Sequence, residues 1–189
     1  MVYQLVDGIN PNAEPNNTSI TNPDVEEAVY FKPKGSYQIG RIEFWTGRVS
    51  AKELALTTRL RQDKGGLPGP VVREAKVAIT EAADGWYGTD FSETYPVSRD
   101  ETYWLCFKGE TVINSPIKYL ARYQEETGQI VETLLFSGHD MMFRSPRASE
   151  EWVRTSPEVQ RAQYFWSIDG RHWSGPYYGY HMIRIYGIF

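Results

Sequence analysis

The chain has little of what usually announces an activity. It holds one cysteine, Cys106, so no disulfide can close within it. In "TYWLCF" that cysteine has apolar neighbours and nothing beside it to lower its pKa, so it reads as a small buried hydrophobe, not a reactive thiol. Excess positive charge is missing as well. Twenty Lys and Arg face 24 Asp and Glu, for a net charge of −4, which leaves no electrostatic footprint for a nucleic-acid partner. No segment approaches the roughly 20 apolar residues of a membrane-spanning helix. The N-terminal "MVYQLVDGINPNAEPNN" lacks the basic and apolar regions of a signal peptide. A soluble protein made in its host's cytoplasm, with no nucleic-acid and no membrane partner, is the expectation.

Catalytic patterns are equally scarce. His139 and Asp140 in "SGHDMMF" are the most enzyme-like pair, with His172 and His181 elsewhere. His-X-X-His and Cys-X-X-Cys spacings are absent, which argues against zinc. Ser137-Gly138 does not form a Gly-X-Ser-X-Gly elbow. "KGGLPGP" has the prolines of a turn and lacks the Gly-Lys-Ser/Thr ending of a phosphate loop. No enzyme, no cofactor and no metal site is expected. A structural calcium would have to draw on the turn carboxylates Asp84, Asp90, Asp100 and Asp169, and no loop has ligand-dense spacing.

What the sequence does contain is alternation. Ile42 and Phe44 alternate with Arg41 and Glu43, the period-2 sign of a half-buried strand. In "ELALTTRLR", Leu54, Leu56, Thr58 and Leu60 share one face, while Glu53, Thr57, Arg59 and Arg61 share the other. Ala75, Val77 and Ile79 repeat the pattern after the Gly/Pro loop "QDKGGLPGP". Tyr103, Leu105 and Phe107 form another set, and Ile183 and Ile185 a last one. "IKYLARYQEETGQIVETLLFSG" supplies two stretches around a turn at Glu126-Thr127-Gly128, and "YFWSIDGRHWSG" a hairpin around Asp169-Gly170. Residues 8–24, rich in Asn, Pro, Ser and Thr, read as extended or loop structure. Residues 148–162 read as a short helical or irregular insertion limited by Pro146 and Pro157. Strands at roughly 10-residue spacing predict an all-β sandwich or barrel, and the length fits a single domain over residues 1–189.

Aromatics make up 14% of the chain. Trp86, Tyr87, Tyr103 and Trp104 crowd one stretch with no nucleophile among them. Tyr103 and Trp104 are expected to pack between sheets, and Trp86 and Tyr87 to contribute to an exposed platform. "RHWSGPYYGYH" places Trp173, Tyr177, Tyr178 and Tyr180 in a Gly- and Pro-bearing loop. Rings that cannot all point inward make this the richest candidate contact surface, suited to a sugar ring or a neighbouring subunit.

"LTTRLRQDKGGLPGPVVREAKVAI" and "GWYGTDFSETYPVSRDETYWLCF" together resemble a jelly-roll domain family related to carbohydrate-binding modules. It is met in choice-of-anchor bacterial surface proteins and in phage structural proteins. The resemblance rests on Gly66-Leu67-Pro68-Gly69, Gly85-Trp86, Pro96-Val97 and Thr102-Tyr103-Trp104-Leu105. It extends to "EEAVYFKPKGSYQIGRIEFW" at one end and "YFWSIDGRHWSGPYYGYHMIRIYG" at the other, and is poorest over residues 124–160. It implies a single jelly-roll β-sandwich, and little about ligand, because sites are grafted onto folds.

The expected function is that of a non-catalytic structural or assembly protein of a bacteriophage virion, a capsid decoration (cement) or tail component. Such a protein binds other virion proteins or itself. The chain starts and stops where such a domain does, and a missing signal and a missing disulfide fit synthesis in a host cytoplasm. The alternative is a carbohydrate-binding module of a secreted or cell-surface protein, with a cell-surface glycan as partner.

Overall fold

A computed structural model describes residues 2–8, 15–21, 25–33, 35–48, 54–79, 85–111, 120–123, 130–134, 141–146, 163–167, 169–178 and 183–189. Among the described residues there is no helix, and so none long and apolar enough to cross a membrane. The protein is all-β, with two antiparallel sheets packed together as a β-sandwich. The first sheet holds β1 (Gln4–Gly8), β2 (Pro15–Thr21), β4 (Tyr37–Arg48), β7 (Gly85–Tyr87), β8 (Asp90–Val97), β12 (Met141–Pro146) and β15 (Ile183–Ile188). The second runs in the order β14 (Ser174–Tyr178), β13 (Gln163–Ser167), β3 (Glu26–Phe31), β9 (Tyr103–Thr111), β5 (Leu54–Asp63), β6 (Pro68–Ile79). A hairpin of β10 (Leu120–Tyr123) and β11 (Ile130–Leu134) completes the described strands.

Strand β4 organises the first sheet because it is long enough to serve two partners on each edge. Phe44 is paired with both Ile183 and Tyr87, and Thr46 with both Phe143 and Gly85. A strand has two edges, so β15 and β12 line one and β8 and β7 the other. The Asn/Pro-rich stretch expected as extended or loop structure supplies β2, whose Asn17–Ser19 pair with Phe143–Ser145. The expected insertion at 148–162, the turn at 126–128 and the pair His139 and Asp140 lie outside the described residues.

Alternation decides the core. In β9, Tyr103, Leu105 and Phe107 enter it, joined from the second sheet by Val29, Phe31, Leu56, Leu60 and Ile79. Ile39, Ile42, Phe44, Phe91, Val97, Ile183 and Ile185 meet them from the first sheet. Phe44 and Phe107 touch across the sandwich with ring centroids 4.5 Å apart. Each such buried ring stabilises the fold by about 1.5–3 kcal/mol relative to exposure. Arg73 of β6 joins the two sheets at their margin. Its guanidinium donates to the carbonyls of Glu93 and Thr94, both at 2.9 Å, and lies 5.3 Å from the Tyr95 ring centroid.

Trp104 corrects one expectation. Tyr103 packs between the sheets, but its neighbour takes the opposite face of β9, as the period of two requires. There Trp104 is fully buried in a second cluster with Ala28, Cys106 and Phe165, and Tyr30 and Trp173 pack against it.

Candidate functional site

The outer face of the second sheet is where chemistry concentrates, and strand register explains why. Three rows of side chains cross it. One row runs Ser167, Glu26, Lys108, Thr57, Lys76. The next runs Phe165, Ala28, Cys106, Arg59, Glu74. The third carries Tyr30, Trp104 and Arg61. β3 and β5 are two strand spacings apart, roughly 9.6 Å, with β9 between them. Cys106 and Ala28 are small, so the guanidiniums of β5 can pass over β9 and reach the carboxylate of β3.

The contact they make is a buried ion cluster. Arg61 Nε donates to Glu26 Oε1 at 2.9 Å and Nη2 to Oε2 at 3.0 Å, a two-point clamp. Arg59 Nη1 adds a bond to Glu26 Oε2 at 2.8 Å, and its Nε donates to Glu74 at 2.5 Å. Arg61 Nη1 ties the cluster to the Gly69 carbonyl at 2.8 Å. The Glu26 side chain is 3% exposed, against 10% for Arg61 and 18% for Arg59. Burial by itself would lower the pKa of Arg59, but Glu74 and Glu26 outweigh it and raise the value, so the group stays charged. Beneath the cluster, burial first and then the Glu26 charge push the Cys106 thiol well above its ordinary pKa. It is no nucleophile.

The β13–β14 hairpin closes one side of this face. Gly170 turns with φ +69°, and a Cβ there would lie 3.2 Å from Arg61 Nη2 and 3.3 Å from Glu26 Oε2. The turn therefore passes directly against the ion cluster. Asp169 holds the turn in shape. Its Oδ1 accepts from the Arg171 and His172 backbone N–H groups at 2.8 and 2.9 Å and from the Ser167 hydroxyl at 3.1 Å, while Oδ2 meets His172 Nδ1 at 2.7 Å. Burial pushes this carboxyl up, but the bonds from His172, Arg171 and Ser167 win and hold it well below the usual carboxylate range. On the opposite flank, Trp104 Nε1 donates to Asp63 at 2.8 Å, and Asp63 also accepts from the Gly66 N–H at 3.0 Å.

Between these parts lies an open cavity of about 450 Å³, lined by Glu26, Arg59, Arg61, Val71, Glu74, Lys108 and Asp169–Arg171. It is a charged cavity, unlike the mostly apolar pockets that take drug-like molecules.

The outer face of the first sheet is decorated differently. Arg184 lies 3.9 Å from the Trp86 ring centroid, and Trp86 meets Trp45 edge to face at 5.3 Å. Arg41 donates to Asp90 at 2.7 Å and to Glu43 at 3.1 Å and sits 5.9 Å from the Tyr186 ring centroid.

The aromatic residues singled out from the sequence are thus spread across the molecule. Trp86 lies on the first sheet, directly across from Trp45, and Tyr87 pairs with Phe44; the rings of Trp45, Trp86 and Tyr87 are all partly buried and pack against the main core cluster. Trp173 packs against the Trp104 cluster, 5.4 Å from Arg61, so its truncation carries a folding cost. Tyr177 and Tyr178 lie in β14, opposite Tyr164 and Gln163; Tyr180 is outside the described residues. Glu26, Arg59, Arg61 and Lys108 were not identified from the sequence as site residues. Among the described residues no group of three or more His, Cys, Asp or Glu is placed to hold a metal ion. No protein-family model matches the chain, and a search of curated proteins finds no match.

Proposed function

We propose that the chain is a non-catalytic structural protein of a bacteriophage virion, a capsid decoration or tail component built on a jelly-roll sandwich. The observation that supports this reading best is the outer face of the first sheet. There Trp45, Trp86, Arg184, Tyr186 and Arg41 form a ladder of rings and guanidiniums on one side of the sheet. Trp, Tyr and Arg are the residue types that anchor protein interfaces, because they bury large areas and are surrounded by groups that exclude water. The partners are other virion proteins or further copies of the chain.

The test is cosedimentation with particles grown without the gene. Purified wild-type protein rejoins the particles, and Trp45→Ala combined with Trp86→Ala does not, although the variant still unfolds cooperatively. Wild-type protein that stays in the supernatant overturns the reading. A second reading, a carbohydrate-binding module of a secreted or surface protein, is favoured by the polar cavity on the other sheet. Retention on a polysaccharide column with no particle binding selects it.

A further inference from the structure

We infer that the cavity on the outer face of the second sheet is a binding site for a hexuronate, a polyhydroxylated ring bearing one carboxylate. The inference goes beyond the assembly reading and does not depend on it, since a virion protein and a surface module can each carry such a site.

Most of the charged groups that line the cavity are already committed to one another. Four cations and three carboxylates line the cavity. Glu26 is held by Arg59 and Arg61, Glu74 by Arg59, and Asp169 by its own hairpin. That leaves Lys108 and Arg171, whose side chains form no ion pair among the described residues. With four cations against three carboxylates, the lining carries one net positive charge, which one negative charge would balance.

A lining with four cations and three carboxylates suits a single negative charge better than the two of phosphate, and carboxylates beside guanidiniums suit hydroxyls, which both donate and accept. Two buried polar atoms stand next to lining residues, on side chains that do not themselves line the cavity. Thr57 Oγ1 has no hydrogen-bond partner among the described residues, and Thr57 stands directly across from Lys108. Trp173 Nε1 also lacks one, in a ring that stacks beside Arg61. Buried polar groups without partners are costly, so a native fold that keeps them invites a reason. The cavity volume of about 450 Å³ lies within the range of small-molecule sites, roughly 300–1,000 Å³.

The test is titration of the full chain with sodium glucuronate, followed by calorimetry and by the indole N–H resonance of Trp173, assigned with Trp173→Phe. Binding at about 1 mM or tighter is expected. Glucose and inorganic phosphate should each bind at least tenfold more weakly. Lys108→Gln combined with Arg171→Gln should weaken glucuronate tenfold or more with an unchanged melting temperature. No response to glucuronate overturns the inference. Equal binding of glucose or of phosphate also overturns it, because the site would then read hydroxyls or charge alone. Undiminished binding in the double variant does the same. None of these results bears on whether the protein joins a particle.

Discussion

Replacing Glu26 by alanine removes the anion that two guanidiniums share. The Glu26 side chain is 3% exposed, and Arg61 and Arg59 are 10% and 18% exposed, so water replaces little of what is lost. Removing one partner of a buried pair costs about 3–5 kcal/mol, because a buried charge is left uncompensated. Two features pull this case to the low end. Arg59 keeps Glu74, and Arg61 keeps the Gly69 carbonyl. A loss of about 3 kcal/mol is expected, which for a domain of this size lowers the melting temperature by about 6–12 °C. Urea unfolding followed by circular dichroism gives the free energy directly. Glu26→Leu combined with Arg61→Met should recover much of the loss, since a well-packed apolar pair often replaces a buried ion pair without penalty. A loss below about 1 kcal/mol for Glu26→Ala would refute the reasoning, because a cluster of that worth behaves as a solvated surface pair.

Three further outcomes are expected. Phe107→Ala, which empties the ring contact with Phe44 across the sandwich, should cost about 3–5 kcal/mol in the same urea assay. Cys106→Leu should cost about 1–3 kcal/mol by overfilling the crossing point beneath Arg59 and Arg61, and the native Cys106 thiol should resist an aromatic disulfide reagent until urea exposes it. The folded-state pKa of Asp169 lies below its unfolded value, so its contribution to stability is fully present above about pH 4 and declines as pH falls below that value. Melting temperatures measured from pH 5 to pH 2 should therefore fall less steeply for Asp169→Asn than for the wild type.

The strands were legible because one face of each is buried, and burial writes a period of two into the sequence. Leu56 and Leu60, Leu105 and Phe107, and Ile183 and Ile185 all enter the core as their alternation predicts. The same alternation already placed Trp104 opposite Tyr103. Its apolar character hid that signal, since a buried tryptophan on an outer face needs a second cover that only the β13–β14 hairpin and Tyr30 supply. The outward set Thr57, Arg59 and Arg61 was also legible as a face. Its partner was not. Glu26 lies 33 residues from Arg59 and 35 from Arg61, and meets them only because β9 sets the register between β3 and β5. A lone glutamate at the start of a strand carries no local mark of that role. The aromatic residues of "RHWSGPYYGYH" drew notice by density alone, and density does not say which of them packs inward.

Membership of an assembled particle is the most direct test of the proposed function. Particles purified through a density gradient from the host that carries the gene can be digested and the chain quantified by mass spectrometry against the major shell protein. A virion component is expected in the particle band at a fixed copy number per particle that survives washing at high salt. Recovery of the chain only outside the particle band would contradict the proposed function.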